Sequence, residues 1–202
     1  MLRRLIRFLL GDQRDVDLDL AEGRMTSIEL CAYKAEDFQE CRELYVLNES
    51  GRFPPDGLPE FEATLRREAS LFLVAKKDGR ICGCGGVAIR QSPTARAAWL
   101  CYGLVHPKYQ NQGLGTTLLL ARLSLIPHHV PFVGMTVVAA SRGFYERFNF
   151  REVKRFTHSS GIELPIHFAR LSPSILFFCE NLLANAGVVL PEDLPNVPII
   201  SE

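Results

Sequence analysis

The chain has 202 residues, with 23 basic against 23 acidic side chains and no formal net charge. That length holds one domain with a sizeable core and is short for two, and the even charge balance gives no field to draw a polyanion, which argues against nucleic acid as the main partner. The six cysteines, Cys31, Cys41, Cys82, Cys84, Cys101 and Cys179, have neither the spacing of a zinc site nor the density of a disulfide scaffold, so they read as buried free thiols in a reducing cytoplasm, with no metal.

In chain order, residues 1–25 read as a terminal segment. Leu2, Leu5, Ile6 and Leu9 fall on one helical face. Arg7 interrupts the apolar run and no small-residue cleavage site follows, so neither a signal peptide nor a membrane span is expected. A polar linker, Gly11 to Asp19, comes next. From Ser27 strands and helices alternate. Ile28 to Tyr33 reads as a strand, and Ala35 to Leu47 as a helix with Phe38, Cys41, Leu44 and Tyr45 on its apolar face. Glu49 to Leu58 is a loop by its glycines and prolines, and Pro59 suits the first turn of a helix reaching Ala69. Leu71 to Ala75 and Ile81 to Ile89 form a hairpin around Asp78-Gly79. Within it the gap in Cys82-Gly83-Cys84 should send both thiols to one face. Gly83, Gly85 and Gly86 mark a bulge or a close approach of another group.

Ala97 to Val105 reads as a buried strand, and Leu114, Leu118, Leu119, Ala121, Arg122 and Leu125 give the next helix its inward face. Pro131 to Val138 is a strand, Ala139 to Phe150 a short helix turning through Asn149, and Arg151 to Phe156 and Ile166 to Ala169 the last strands. This order implies a mixed α/β fold, a central mixed sheet with helices on both faces. Residues 171–202 add an apolar helix, Ser172 to Leu183, and an extended, partly mobile end from Pro191.

Between the buried strand and its helix lies Leu104-Val105-His106-Pro107-Lys108-Tyr109-Gln110-Asn111-Gln112-Gly113-Leu114-Gly115. Gly113 and Gly115 let the backbone approach a ligand, and a helix N-terminus behind them offers unpaired N–H groups to a phosphate. It is not a P-loop, lacking Gly-Lys-Ser/Thr, nor a Rossmann fingerprint, lacking a third glycine.

The order Val105-x-Pro107-x-x-Gln110-x-x-Gly113-x-Gly115, followed by a strand and by Phe144-Tyr145, resembles the acetyl-CoA signature of the GNAT superfamily of N-acetyltransferases over roughly residues 26–170. The resemblance implies acetyl-CoA as co-substrate, no metal, and transfer of its acetyl group by direct attack of a primary amine on a small molecule, peptide or protein. It places the pantetheine arm on the backbone of Gly103, Leu104 and Val105, and the diphosphate on the N–H groups of Asn111, Gln112, Gly113, Leu114, Gly115 and Thr116. Gln110 would order that turn, Phe144 would lie against the cofactor, and Tyr145 would protonate the departing thiolate. Gly103 would supply a bulge that opens the sheet. Ala139 stands where the family often has asparagine, and Asn149 where it often has glycine.

The general base is not marked. Asp56, Glu60, Glu62, His158, Glu163 and His167 should border the acceptor cleft, Arg52, Phe53 and Thr157 to Gly161 would meet the amine, and Cys101 and Tyr102 are poor bases near neutral pH. Partners are then acetyl-CoA and an amine acceptor, with a homodimer to be tested. Two alternatives stay open: a non-catalytic acyl-CoA-binding module, and an interaction protein without a CoA site.

Overall fold

The structure, a computed structural model, describes residues 15–18, 21, 25–49, 53, 57–67, 70–93, 95–138, 141–158 and 161–201. The amphipathic segment 1–10, Arg52 and Asp56 lie outside the described residues.

The fold grows from the Asp-Gly hairpin. Asp78 and Gly79 both take positive φ, +52° and +75°, which matches the tight turn that the strand twist favours. The turn joins β2 (Leu71–Lys77) to β3 (Arg80–Ser92). β1 (Glu29–Ala32) pairs with β2, and β4 (Ala95–Val105) returns along β3, all antiparallel. β5 (Phe132–Thr136) runs parallel to β4. β6 (Arg151–Thr157) and β7 (Glu163–Arg170) close that side in the order β1-β2-β3-β4-β5-β7-β6. The mixed sheet expected from the sequence is what the chain forms.

Alternation along the strands feeds two cores. Leu71, Leu73 and Ala75 of β2 face α3 (Leu114–Ser124) and α5 (Pro173–Asn185), while Phe72 and Val74 face α1 (Phe38–Glu49) and α2 (Gly57–Arg66). Helices therefore cover both faces. Ser172 caps α5 by accepting from the Ile175 N–H, with Pro173 at the first helical position. That helix packs Leu176, Cys179, Leu182 and Leu183 inward. The short α4 (Arg142–Glu146) follows β5 and hands the chain to β6 through Asn149, at φ +61°.

Three expectations need correction. Asp15 to Leu18, read as linker, instead run beside β7: Asp15 bridges Arg170, the Val16 N–H donates to the Arg170 carbonyl at 3.1 Å, and Val16, Leu18 and Ala21 are buried. Ile199–Ser201 of the extended end forms β8, which continues the edge of β3 beyond β2 in parallel register. The thiols of Cys82 and Cys84 face opposite cores. Ala75 pairs with Gly83 and Lys76 with Ile81, so Cys82 is the extra residue of a bulge, and one extra residue inverts the faces.

Candidate active site

The site is built where β4 leaves its neighbour. Parallel pairing of β4 with β5 runs from Ala98 to Leu100. Just beyond, Cys84 pairs with Leu104 but Gly86 with Cys101, so Gly85 faces both Tyr102 and Gly103. Tyr102 absorbs this bulge with φ +46°, and Gly103, expected to make it alone, shares it. The backbone from Gly103 to Val105 thereby comes away from β5 with its edge open.

The turn after β4 is braced by side chains. Gln110 Nε2 donates to the Val105 carbonyl at 3.0 Å and to Asn48 Oδ1 of α1 at 3.1 Å. Gln112 Nε2 donates to the Lys108 carbonyl at 2.7 Å. Thr117 Oγ1 accepts from the Thr26 N–H, and Thr26 Oγ1 donates to the Gln112 carbonyl, which ties the incoming chain to the turn. Asn111 and Gly113 take left-handed angles, φ +59° and +89°. Gly113 caps α3 with no side chain over the helix end, so the N–H groups of the first turn point outward without an intrahelical acceptor.

These elements line a cleft of about 590 Å³. Val105, Gln110, Asn111, Gln112, Gly113, Gly115, Thr116, Phe144 and Tyr145 of the expected set line it. Leu104 and Leu114 turn their side chains into the cores instead, and can contribute only backbone. Met25, Asn48, Leu118, Arg122, Ser141 and Arg147 join them. Arg122 and Arg147 bring two cations, and no described lining residue is acidic, which suits an anionic ligand. The Phe144 ring lies over Gly115, at ordinary van der Waals distance from where a Cβ would stand.

A second cavity of about 380 Å³ opens across the strand. Its walls are aromatic: Tyr45, Phe53, Trp99, Tyr102 and Phe156, closed on one side by Ile200 of β8. Tyr45 stacks against Phe53 and Phe61 at ring-centre distances of 4.8 and 5.0 Å, which fixes that wall. The two cavities share Gly103, Ser141 and Tyr145.

The candidate bases separate clearly. Glu60 and His158 both line the second cavity, with Glu60 Oε2 3.3 Å from His158 Nε2. Glu62 is held by Arg42 and Arg66 outside the cavity, and the hydrogen bond from Arg42 keeps its carboxyl below the ordinary range. Glu163 is exposed. His167 is fully buried in β7, and neither ring nitrogen has a hydrogen-bond partner. Burial pushes the Tyr102 phenol up to about 12 and raises the Cys101 thiol, so neither serves as a base near neutral pH. Among the described residues no His, Cys, Asp and Glu cluster could hold a metal, and no helix is long and apolar enough to cross a membrane.

Arg122 stands on the expected apolar face of its helix, and Asn48 and Ile200, which reach the site from distant segments, carry no local signal in the sequence. Arg122 did carry one: a permanent charge among leucines.

Among solved structures, the chain resembles a GNAT-family protein from Desulfovibrio desulfuricans, at 18% identity and a TM-score of 0.61 over 71% of this chain and 99% of that one. PaiA N-acetyltransferase from Thermoplasma acidophilum, solved with coenzyme A, shares 18% identity and a TM-score of 0.55 over 72% and 100%. An aminoglycoside 6'-N-acetyltransferase complexed with coenzyme A shares 11% identity and a TM-score of 0.56 over 71% and 97%. At these identities the likeness is one of fold. No curated protein matches the chain. The family model described as acetyltransferase (GNAT) family matches residues 38–150, more than half of the sequence and the whole span from α1 through the glycine turn to Phe150. The chain belongs to the GNAT family of acetyltransferases.

Proposed function

We propose that the chain is an acetyl-CoA-dependent N-acetyltransferase that binds acetyl-CoA in the 590 Å³ cleft and a primary amine in the aromatic 380 Å³ cavity. One observation carries this reading: an anion-suited cleft and an apolar cavity meet at Gly103, Ser141 and Tyr145, where a thioester held in the first would face an amine held in the second. Holding both reactants at that junction supplies much of the rate, since a thioester is already activated.

In the reaction the amine nitrogen attacks the thioester carbon and a C–N bond forms. A backbone N–H of the β4 edge at Gly103–Val105 polarises the carbonyl oxygen. His158, oriented by Glu60, takes the proton that the amine must lose. The C–S bond then breaks with its electron pair on sulfur, and the Tyr145 hydroxyl protonates the thiolate. Solvent returns the phenolic proton. The aromatic walls favour an acceptor with an apolar, flat body behind its amine.

Calorimetric titration with acetyl-CoA, followed by thiol-release assays on arylalkylamines, polyamines and peptides, tests the proposal. We expect binding, and turnover best with arylalkylamines. Tight CoA binding with no transfer to any amine would leave a non-catalytic acyl-CoA-binding module. No binding by the folded chain would point to an interaction protein without a CoA site.

A further inference from the structure

Arg122 is the most buried charge in the described structure. It sits on the inward face of α3 at 1% exposure, among leucines. Its Nε donates to the Leu118 carbonyl at 3.0 Å, which fixes the side chain, yet Nη1 is buried with no partner, and no described carboxylate forms an ion pair with Arg122. An arginine cannot shed its proton to escape such a place. A buried charge without a counter-ion is costly, and apolar residues in place of buried charges often hold a fold as well or better. The residue therefore has a use that stability does not explain.

Its position says what that use is. The guanidinium lies flat between two glycines: a Cβ on Gly85 would stand 3.0 Å from Cζ, Nε and Nη1, and one on Gly103 would stand 3.0 Å from Nη2. That same point on Gly103 is 2.9 Å from the Tyr145 hydroxyl. The cation and the phenol thus converge on one spot at the opened edge of β4. Arg122 lines the first cleft and not the second, so its charge faces the cofactor side of the junction and neither the acceptor nor the far end of an acyl group. The diphosphate is not its target, since the helix end that would hold that group lies about 9 Å back along the axis from Arg122 to Thr116. The negative charge that arises at this spot is the one left on sulfur.

We propose that Arg122 is a further catalytic residue, whose guanidinium contacts the CoA sulfur and stabilises the thiolate as the C–S bond breaks, before Tyr145 delivers its proton. This rests on the acyl-CoA reading above. The step adds no atom or electron to that scheme: the C–N bond forms, the C–S pair moves to sulfur beside the guanidinium, Tyr145 gives the proton, and solvent restores it. A fixed cation in a site shielded from water is worth more here than in solution, because it need not reorganise as the charge appears.

The test is the ultraviolet thiolate absorbance of CoA bound to the full chain, titrated with base, for wild type, Arg122→Met and Arg122→Gln, beside kcat and KM for acetyl-CoA. In Arg122→Met the bound thiol should titrate about one pH unit higher than in wild type, with kcat down about 10²-fold and KM unchanged. Arg122→Gln keeps a polar donor without the charge, and its bound thiol should titrate with that of Arg122→Met. A folded, CoA-binding methionine variant whose thiol titrates as wild type overturns the proposal. If the methionine variant fails to fold, a folded glutamine variant whose bound thiol titrates as wild type does the same. Faster transfer of a carboxylate-ended acyl group than of acetyl, lost in Arg122→Met, would overturn it in favour of donor selection. Absence of CoA binding by wild type would remove the acyl-CoA reading itself, and the role of Arg122 with it.

Discussion

The two cavities are made in opposite ways. The first is largely one continuous stretch, Gly103 to Leu118, offering backbone groups and a helix end, with α4 laid across it. The second is assembled from side chains of α1, α2, β3, β4, β5, α4, β6, β7 and β8, drawn from along the chain between Tyr45 and Ile200. Backbone recognition binds what many relatives share, whereas a wall of side chains from many elements can be re-made residue by residue. The difference suits a constant donor on one side and a variable acceptor on the other.

The largest effect expected is at the seam. Tyr145→Phe removes the hydroxyl that belongs to both cavities, and kcat should fall by about 10²–10⁴-fold while calorimetric affinity for CoA stays as it was. Unchanged turnover would take Tyr145 out of the chemistry. Gly113→Glu addresses the backbone-built side alone: it strains a left-handed position and sets a carboxylate against the helix end. CoA affinity should drop about 10²-fold with the fold retained on a thermal melt, and unaltered affinity would mean the diphosphate lies elsewhere. His158→Gln addresses the side-chain-built side, and should lower kcat/KM about 10²-fold with CoA binding intact. If that variant instead loses CoA affinity, the two cavities are not separable as described.

The smallest effect lies outside both. Burial holds the His167 ring below its ordinary value, against the pull of Glu152 and Glu146 and with Arg142 adding to the depression. The folded chain then binds fewer protons there than the unfolded one. The stability this gives is complete above the unfolded value of about 6.5 and is lost as pH falls through the lower folded value. Melting temperatures of wild type should therefore decline on acidification more steeply than those of His167→Leu, and parallel declines would refute this.

The same contrast explains what could be read from the sequence. The strands β1 to β7 and all five described helices follow from local periodicity and turn chemistry, with Asp78-Gly79 the clearest case. The first cavity was legible because its residues are consecutive and glycine positions betray backbone geometry. β8 was not: Ile199 to Ser201 is too short to show a pattern, and its partner Ile89 to Gln91 is far away in the chain. Asp15-Val16-Asp17-Leu18 looked like a linker by its charges, although acid and aliphatic alternate there with the period of an edge segment, and Val16 and Leu18 are indeed buried. The Glu60–His158 pair could not be chosen from six candidates, because choosing needs to know that α2 and the end of β6 meet.

Gly85, Gly103 and Arg122 also form a unit in a sense that concerns descent. A methyl group on either glycine would stand 3.0 Å from the guanidinium and force it to shift. A lineage that loses the arginine gains room over Gly85, whereas Gly103 still meets the Tyr145 hydroxyl, 2.9 Å from where a Cβ would stand. Effects of substitutions at the three positions should for that reason be strongly non-additive.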